Sequence, residues 1–280
     1  MIYSFPRYLA AKKTVDDRAL NAHVWQALRQ NMPAHPHILE VGAGIGTMVE
    51  RLAEQKFISS ATYTAVDNQS ENIAIALERL AGLPQTIQLS LEAVDLFDFI
   101  RQKQGKQQWD VLIAHAFLDL IDIPATLPQL FSLLKPGGLF YFTINFDGVT
   151  TLEPVIDPAL DAKIEQLYHQ TMDERITDGK PSGDSRSGRH LFTHLRQAGA
   201  TLLAAGGSDW VVFAGEDGYA ADEKYFLQFI VETMRRALAA HPALNQARFA
   251  RWIAQRQAQI EAGELVYIAH QLDFLGRWPG

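Results

Sequence analysis

Carboxylates recur along this sequence just where apolar runs end, and the first is followed by closely spaced glycines. That first run is Ile38-Leu39-Glu40-Val41-Gly42-Ala43-Gly44-Ile45-Gly46. Glycine tolerates positive φ and lets backbone come within contact distance of a ligand, so Gly42, Ala43, Gly44 and Gly46 form a turn suited to seating a small molecule. A dinucleotide fingerprint needs its third glycine where Thr47 stands, and no Gly-Lys-Ser/Thr follows to make a phosphate loop. The Glu40 carboxylate would repel a pyrophosphate and favour a ligand carrying positive charge, an ammonium or a sulfonium. Asp67 and Asn68 close the next apolar run. An acid there meets ribose hydroxyls in a nucleotide-binding α/β unit, and a carboxylate accepts both hydrogens of a diol. Asp67 also reads as a cap for the helix that follows.

These residues need strands and helices to present them. The pattern predicts strands at 37–41, 61–66, 86–91, 109–114 and 139–144. Between them it predicts helices at 45–55, 70–81, 96–102 and 124–134. Such alternation makes a mostly parallel sheet covered on both faces. Ahead of it, residues 7–31 are helix-compatible, with Val24, Trp25 and Leu28 on one face. They read as a packing helix or as a lid with Tyr8, Lys12 or Arg18 toward substrate.

The chain has 280 residues, 48% of them hydrophobic, which suits one large domain or a domain with a substantial insertion. It has no cysteine, which removes disulfides, thiolate metal sites and a cysteine nucleophile. Its net charge of −7 shows no basic stripe for nucleic acid. No apolar stretch approaches the ~20 residues of a membrane span. Residues 1–7 lack the order of a signal peptide, so the expected location is cytoplasmic.

The stretch from Ile38 to Gly46 resembles the first motif of class I S-adenosylmethionine-dependent methyltransferases. The Leu134-Lys135-Pro136-Gly137-Gly138-Leu139 turn into an aromatic strand is a second resemblance to that superfamily. The likeness is good over 35–146 and holds in outline over 187–275. It implies an α/β, Rossmann-like, doubly wound and mostly parallel seven-stranded sheet with its last strand antiparallel, plus helical insertions and a cap. It implies S-adenosyl-L-methionine as cofactor, which carries an ammonium and a sulfonium and no phosphate. By position it gives Asp95 the adenine amino group and Leu96 a backbone amide to the ring. Asp95 also reads as the cap of the helix 96–102. The ends of the first and fourth strands flank the ligand crevice, which puts His115 and Ala116 beside the methionine part. Relatives that methylate exocyclic base nitrogens or glutamine amides carry an Asn/Asp-Pro-Pro-aromatic tetrad here. Ala114-His115-Ala116-Phe117 departs from it and argues against those acceptors.

The implied organisation is an N-terminal helical lid at 1–34 and a core at 35–146 and 187–280. Insertions at 147–186 and 216–262 form a substrate cap. The latter holds amphipathic helices over 221–240 and 245–261, whose Phe, Met and Trp residues read as core or as an apolar pocket. Residues 200–214 read as one strand bent at Gly206-Gly207. Asn145 and Asp147 sit at a strand's carboxyl end. In the polar loop 177–190, Arg186 and Arg189 read as an anion clamp, or as solvated residues beside capping Ser185 or Ser187. The expected reaction is methyl transfer to a small molecule, with His115, Asp147 or Tyr8 as candidate bases and Asn145, Arg186 and Arg189 toward the acceptor. A protein or RNA acceptor, or a silent S-adenosylmethionine-binding module, is the alternative. No metal, nucleic acid or membrane is expected, and a homodimer is left open.

Overall fold

The computed structural model describes residues 3–177 and 179–280. Met1 and Ile2, which open the stretch weighed as a signal peptide and the lid, and Asp178, in the polar loop, lie outside them. Two helices, α1 (Phe5–Ala19) and α2 (Ala22–Asn31), precede the sheet. Then β1 (His37–Val41), α3 (Thr47–Glu54), β2 (Ala61–Asp67), α4 (Ser70–Arg79) and β3 (Ile87–Ala93) alternate. They continue as α5 (Leu96–Lys103), β4 (Trp109–His115), α6 (Ile123–Phe131) and β5 (Leu134–Glu153). The second half holds α7 (Pro158–Asp173), the short pair β6 (Ile176–Thr177) and β7 (Lys180–Pro181), and α8 (Ser187–Gln197). It ends with β8 (Thr201–Gly207), β9 (Trp210–Val212), α9 (Glu223–Ala237), α10 (Gln246–Ala262) and β10 (Val266–Arg277).

The main sheet runs β3-β2-β1-β4-β5-β10-β8, with β9 also paired to β10. The first five strands are mutually parallel, and β10 is antiparallel to β5, β8 and β9. The seven expected strands are therefore present, with the last reversed, and β9 adds an eighth. Alternation explains the two faces, since successive strand side chains point to opposite sides. Ile38, Tyr63, Val111, Ile113 and Tyr141 pack with α2, α3 and α4. Their neighbours Leu39, Leu112, Phe140 and Phe142 pack with α5, α6 and α8.

The stretch 200–214 is two strands, not one. The chain breaks at Ser208 and Asp209, where Ser208 N–H donates to Gln271 O at 2.8 Å and Asp209 Oδ1 lies 2.7 Å from His270 Nδ1. The fifth strand also departs from 139–144, running on to Glu153 because β10 continues beside it. At Ile144 it bends through φ +57, a strained value for a β-branched residue. The buried Asp273 carboxylate accepts the displaced Ile144 N–H at 2.8 Å and that of Asn21 at 2.8 Å, tying the α1–α2 junction to this bend. Beyond the bend, a separate core joins α1, α7, β9, α9, α10 and the first half of β10 around Phe226, Met234, Trp252 and Tyr267. This cap stands over the carboxyl ends of the parallel strands, where open α/β sheets place their ligands.

Candidate active site

One cavity of about 1130 Å³ lies between the strand ends and the cap. Glu40, Gly42, Ala43, Gly44, Asp67, Asn68, Asp95, Leu96, His115 and Ala116 all line it. The glycine loop does so in an unusual way for a nucleotide-binding turn. Three of its amides are already spent: Ala43 N–H donates to Val66 O at 3.0 Å, Gly46 N–H to Ala43 O at 3.0 Å, and Gly44 N–H to Asp67 Oδ2 at 2.8 Å. Those three amides are not available to a phosphate, which needs outward N–H groups. Gly46, with φ +79, caps α3 and packs closely on α4, since an added Cβ would lie 2.7 Å from Leu80 Cδ1; it does not line the cavity.

Carboxylates face the cavity instead. Glu40 is buried and accepts the Tyr63 hydroxyl at 2.7 Å on one oxygen. Burial pushes its carboxyl up to about 8, against the opposing pull of Tyr63 and the Arg51 guanidinium. A cation arriving beside it supplies the partner that the ionised form lacks. Asp67 accepts Gln69 N–H at 2.9 Å and Asn72 Nδ2 at 3.1 Å on Oδ1, besides Gly44 on Oδ2. Oδ1 thus has both its lone-pair sites taken, and Oδ2 keeps room for a further donor. Asp95 caps α5 through Oδ1, accepting Phe97 N–H at 2.8 Å, so capping and a ligand contact through Oδ2 are compatible.

His115 sits at the cavity wall between two partners. Its Nε2 lies 2.9 Å from Asp16 Oδ2 and its Nδ1 2.8 Å from Thr143 Oγ. Lys12 Nζ donates to Asp16 Oδ2 at 2.7 Å and Trp210 Nε1 to Oδ1 at 2.9 Å. These neighbours hold the Asp16 carboxyl well below its ordinary range despite burial. An ionised carboxylate only accepts, so His115 Nε2 carries the proton and Nδ1 accepts from Thr143. Burial lowers the His115 pKa to about 4. A neutral imidazole with both nitrogens engaged has no lone pair turned to a substrate. Tyr8 lines the cavity with its hydroxyl pKa pushed well above 10 by burial, which makes it a hydrogen-bond donor at neutral pH.

The other residues weighed for acceptor chemistry lie elsewhere. Asp147 Oδ1 accepts Arg189 N–H at 2.7 Å and Nε at 2.8 Å, and neither residue lines the cavity. Asn145 is buried, donates to Leu272 O at 2.9 Å, and is also outside the lining. Arg186 is exposed against Gly148. Ser185 and Ser187 do not cap α8: their hydroxyls bond Asp173 at 3.1 Å and Phe146 O at 3.0 Å. Arg18 reaches Glu223 of α9 at 3.0 Å and fastens α1 to the cap. Outside the cavity, Asp184, His190 and His194 bring ligand atoms within 4.8 Å of one another.

Asp16, Asp119, Tyr168, Trp210, Tyr267 and Gln271 were not singled out from sequence, though Asp119, Tyr168, Trp210, Tyr267 and Gln271 line the cavity and Asp16 organises its wall. A signal existed for some. Lys12 and Asp16 stand four apart on α1 beside the buried Ala11 and Val15, which turns the charged pair inward. Tyr267 and Gln271 share strand parity.

Residues 39–140 match the family described as Methyltransferase domain. The match takes in β1 to β4 and the start of β5, hence the glycine loop and all three carboxylates. Over that stretch, a little more than a third of the chain, the sequence is similar to a methyltransferase domain. The chain is 32% identical over 109 residues to malonyl-[acyl-carrier protein] O-methyltransferase of Halalkalibacterium halodurans, covering 38% of each chain. It is 28% identical over 130 residues to demethylmenaquinone methyltransferase of Leptospira interrogans, covering 46% of this chain and 50% of that one. The chain thus spans half or less of the length of these relatives. In fold it is similar to a SAM-dependent methyltransferase from Thiobacillus denitrificans in complex with S-adenosylhomocysteine, with a TM-score of 0.50, 13% identity and 99% of each chain covered. No helix among the described residues is long and apolar enough to cross a membrane.

Proposed function

We propose that this protein transfers the methyl group of S-adenosylmethionine to a small molecule held beneath the cap. The observation that carries the reading is the set of carboxylates at the ends of β1, β2 and β3 around one cavity, with three amides of the glycine loop bonded within the protein. That donor set fits a ligand with a cationic amino-acid end, a ribose diol and an adenine, and disfavours a dinucleotide. Glu40 is placed for the ammonium side, Asp67 and Asn68 for the ribose, Asp95 and Leu96 for the adenine, and His115 and Ala116 for the methionine part. Bound there, the cofactor supplies an electrophilic methyl on a positively charged sulfur.

The protein's own contribution is alignment and exclusion of water, because the leaving thioether is neutral and needs no acid. Helix α1 covers the cavity with Phe5, Tyr8, Leu9 and Lys12 and acts as its lid. The Asp16–His115 contact pins that lid to the end of β4. A cavity of ~300–1,000 Å³ holds one drug-sized ligand, so about 1130 Å³ leaves room for cofactor and acceptor together. Enclosure under a lid favours a small acceptor over a polymer. The relatives' named acceptors, an acyl-carrier-bound malonyl group and a quinone, bear on this chain only as members of the range of acceptors to screen.

The test is S-adenosylhomocysteine release from S-adenosylmethionine with bacterial extract split into small-molecule and macromolecular fractions. Release with the small-molecule fraction is expected. Release confined to the protein or RNA fraction overturns the acceptor assignment, and no release with either leaves the silent module as the better reading.

A further inference from the structure

The cavity continues past the cofactor half into a chamber that the assigned residues do not explain. Its walls are aromatic: Tyr8 from α1, Phe146 from β5, Tyr168 from α7, Trp210 from β9 and Tyr267 from β10. The walls are backed by rigid packing, with Tyr8 stacked on Phe229 at 4.2 Å and Trp210 edge-on to Phe226 at 5.3 Å. Such walls suit a planar, conjugated ring.

The polar groups of this chamber are unspent. Gln271 is 1% exposed, lines the cavity, and its Oε1 has no partner among the described residues. A buried unpaired acceptor costs about 1–3 kcal/mol unless a ligand supplies a donor. Asp119, in the turn after β4, lines the same chamber, and beyond its own backbone N–H no donor among the described residues bonds its carboxylate. Among the described residues that line this chamber Lys12 is the cation, and Asp16 already holds it at 2.7 Å, so it is not free for an anionic acceptor. The tyrosine hydroxyls stay protonated, with Tyr168 pushed up to about 12, and offer hydrogens to oxygen rather than room to an ammonium.

Building on the methyltransferase reading, we propose that the acceptor is a neutral hydroxyl on a planar conjugated ring and that Asp119 is the general base that receives its proton. Asp119 takes the hydroxyl hydrogen as the acceptor oxygen forms its bond to the methyl carbon, and the carbon–sulfur electron pair stays on the departing thioether. Product and S-adenosylhomocysteine are neutral at the reacting atoms, and the proton leaves from Asp119 to solvent. His115 takes no part, because both its nitrogens are engaged within the wall.

The groups facing Asp119 are Tyr8 and Lys12 of α1, Tyr168 of α7, Arg175 after it and Asp184 ahead of α8. Of these, Arg175 and Lys12 draw its pKa down, while burial and Asp184 raise it. The test uses 4-nitrophenol, whose ionisation is read from its absorbance, titrated into the full chain without cofactor. A carboxylate beside the bound hydroxyl favours the neutral phenol over the phenolate by about tenfold, raising the bound probe's pKa by about one unit. Asp119→Asn should still bind the probe and lose that preference. Asp119→Ser gives the same reading should the first variant fold poorly. No saturable binding to the wild type, or identical ionisation in wild type and variants, overturns the proposal. S-adenosylhomocysteine binding by the same wild-type sample separates the two claims. If it is retained while the probe result fails, the acceptor proposal falls alone; if it is absent, the methyltransferase reading fails first.

Discussion

Asp16 and His115 stand 99 residues apart in the chain and 2.9 Å apart in space, both buried. Their contact joins helix α1, the proposed lid, to the end of β4, where the proposed reading puts the methionine part of the cofactor. Around it, Lys12, Thr143 and Trp210 complete a polar cluster in which each group satisfies another.

Removing Asp16 should therefore be costly. Asp16→Ala leaves a buried ammonium and two buried N–H donors without their acceptor. The expected loss is about 3 kcal/mol of unfolding free energy, read by urea denaturation, with a matching fall in cofactor affinity as the lid loosens. A loss under about 1 kcal/mol means that the cluster is open to water and does not fasten the lid.

His115 should leave a signature in the pH dependence of stability. Its pKa falls from 6.5 to about 4 on folding. Between those values the unfolded chain binds a proton that the folded chain refuses. Stability should decline as pH drops from about 6.5 to about 4, by on the order of 3 kcal/mol, and this contribution is constant outside that window. His115→Gln does not titrate and should lose this slope. The difference between the two curves is the quantity to measure, because Asp273, pushed up to about 6, acts in the opposite direction from 3.8 to 6. Superimposable curves contradict a buried neutral His115.

What could be read from sequence divides along the same line as local and distant contacts. Glu40, Gly42, Gly44, Asp67 and Asp95, which line the cavity, were legible because each sits within a few residues of the strand end that presents it, whereas Gly46 packs on α4 instead. Alternation gave the five parallel strands, and the resemblance alone implied seven with the last reversed. Asp147 and Arg189 looked like acceptor groups, yet they pair with each other across 42 residues. The extension of β5 past Ile144 was hidden because its partner, the first half of β10, arrives over 100 residues later. Polar Asn145-Phe146-Asp147-Gly148 therefore read as the end of a strand. Asp119, Tyr168 and Gln271 carry no local pattern, and only the closure of the cap brings them together.

The glycine loop should rank its own substitutions. An added Cβ at Gly42 would lie 2.2 Å from Phe117 Cδ2, at a φ of +67. At Gly44 the nearest atom is Leu9 Cδ1 at 3.1 Å, the end of a flexible side chain, at a φ of +55. Gly44→Ala should cost about 1–2 kcal/mol from backbone strain alone. Gly42→Ala should cost about 3 kcal/mol, as displacement of the Phe117 ring adds to that strain. Chemical denaturation of both variants checks the order, and equal losses contradict the packing described around Phe117.

The central claim is that carboxylates, rather than loop amides, select the ligand. The most direct measurement is calorimetric titration of S-adenosylmethionine and S-adenosylhomocysteine, beside NAD, on the wild type and Asp67→Ala. Asp67 is the residue proposed for the ribose, and its Oδ2 accepts the Gly44 N–H of the loop at 2.8 Å. Micromolar binding of the two sulfur ligands to the wild type, lost by at least tenfold in the variant, with no binding of NAD, is the predicted result. Binding of NAD alone, or sulfur-ligand affinities unchanged by Asp67→Ala, contradicts it.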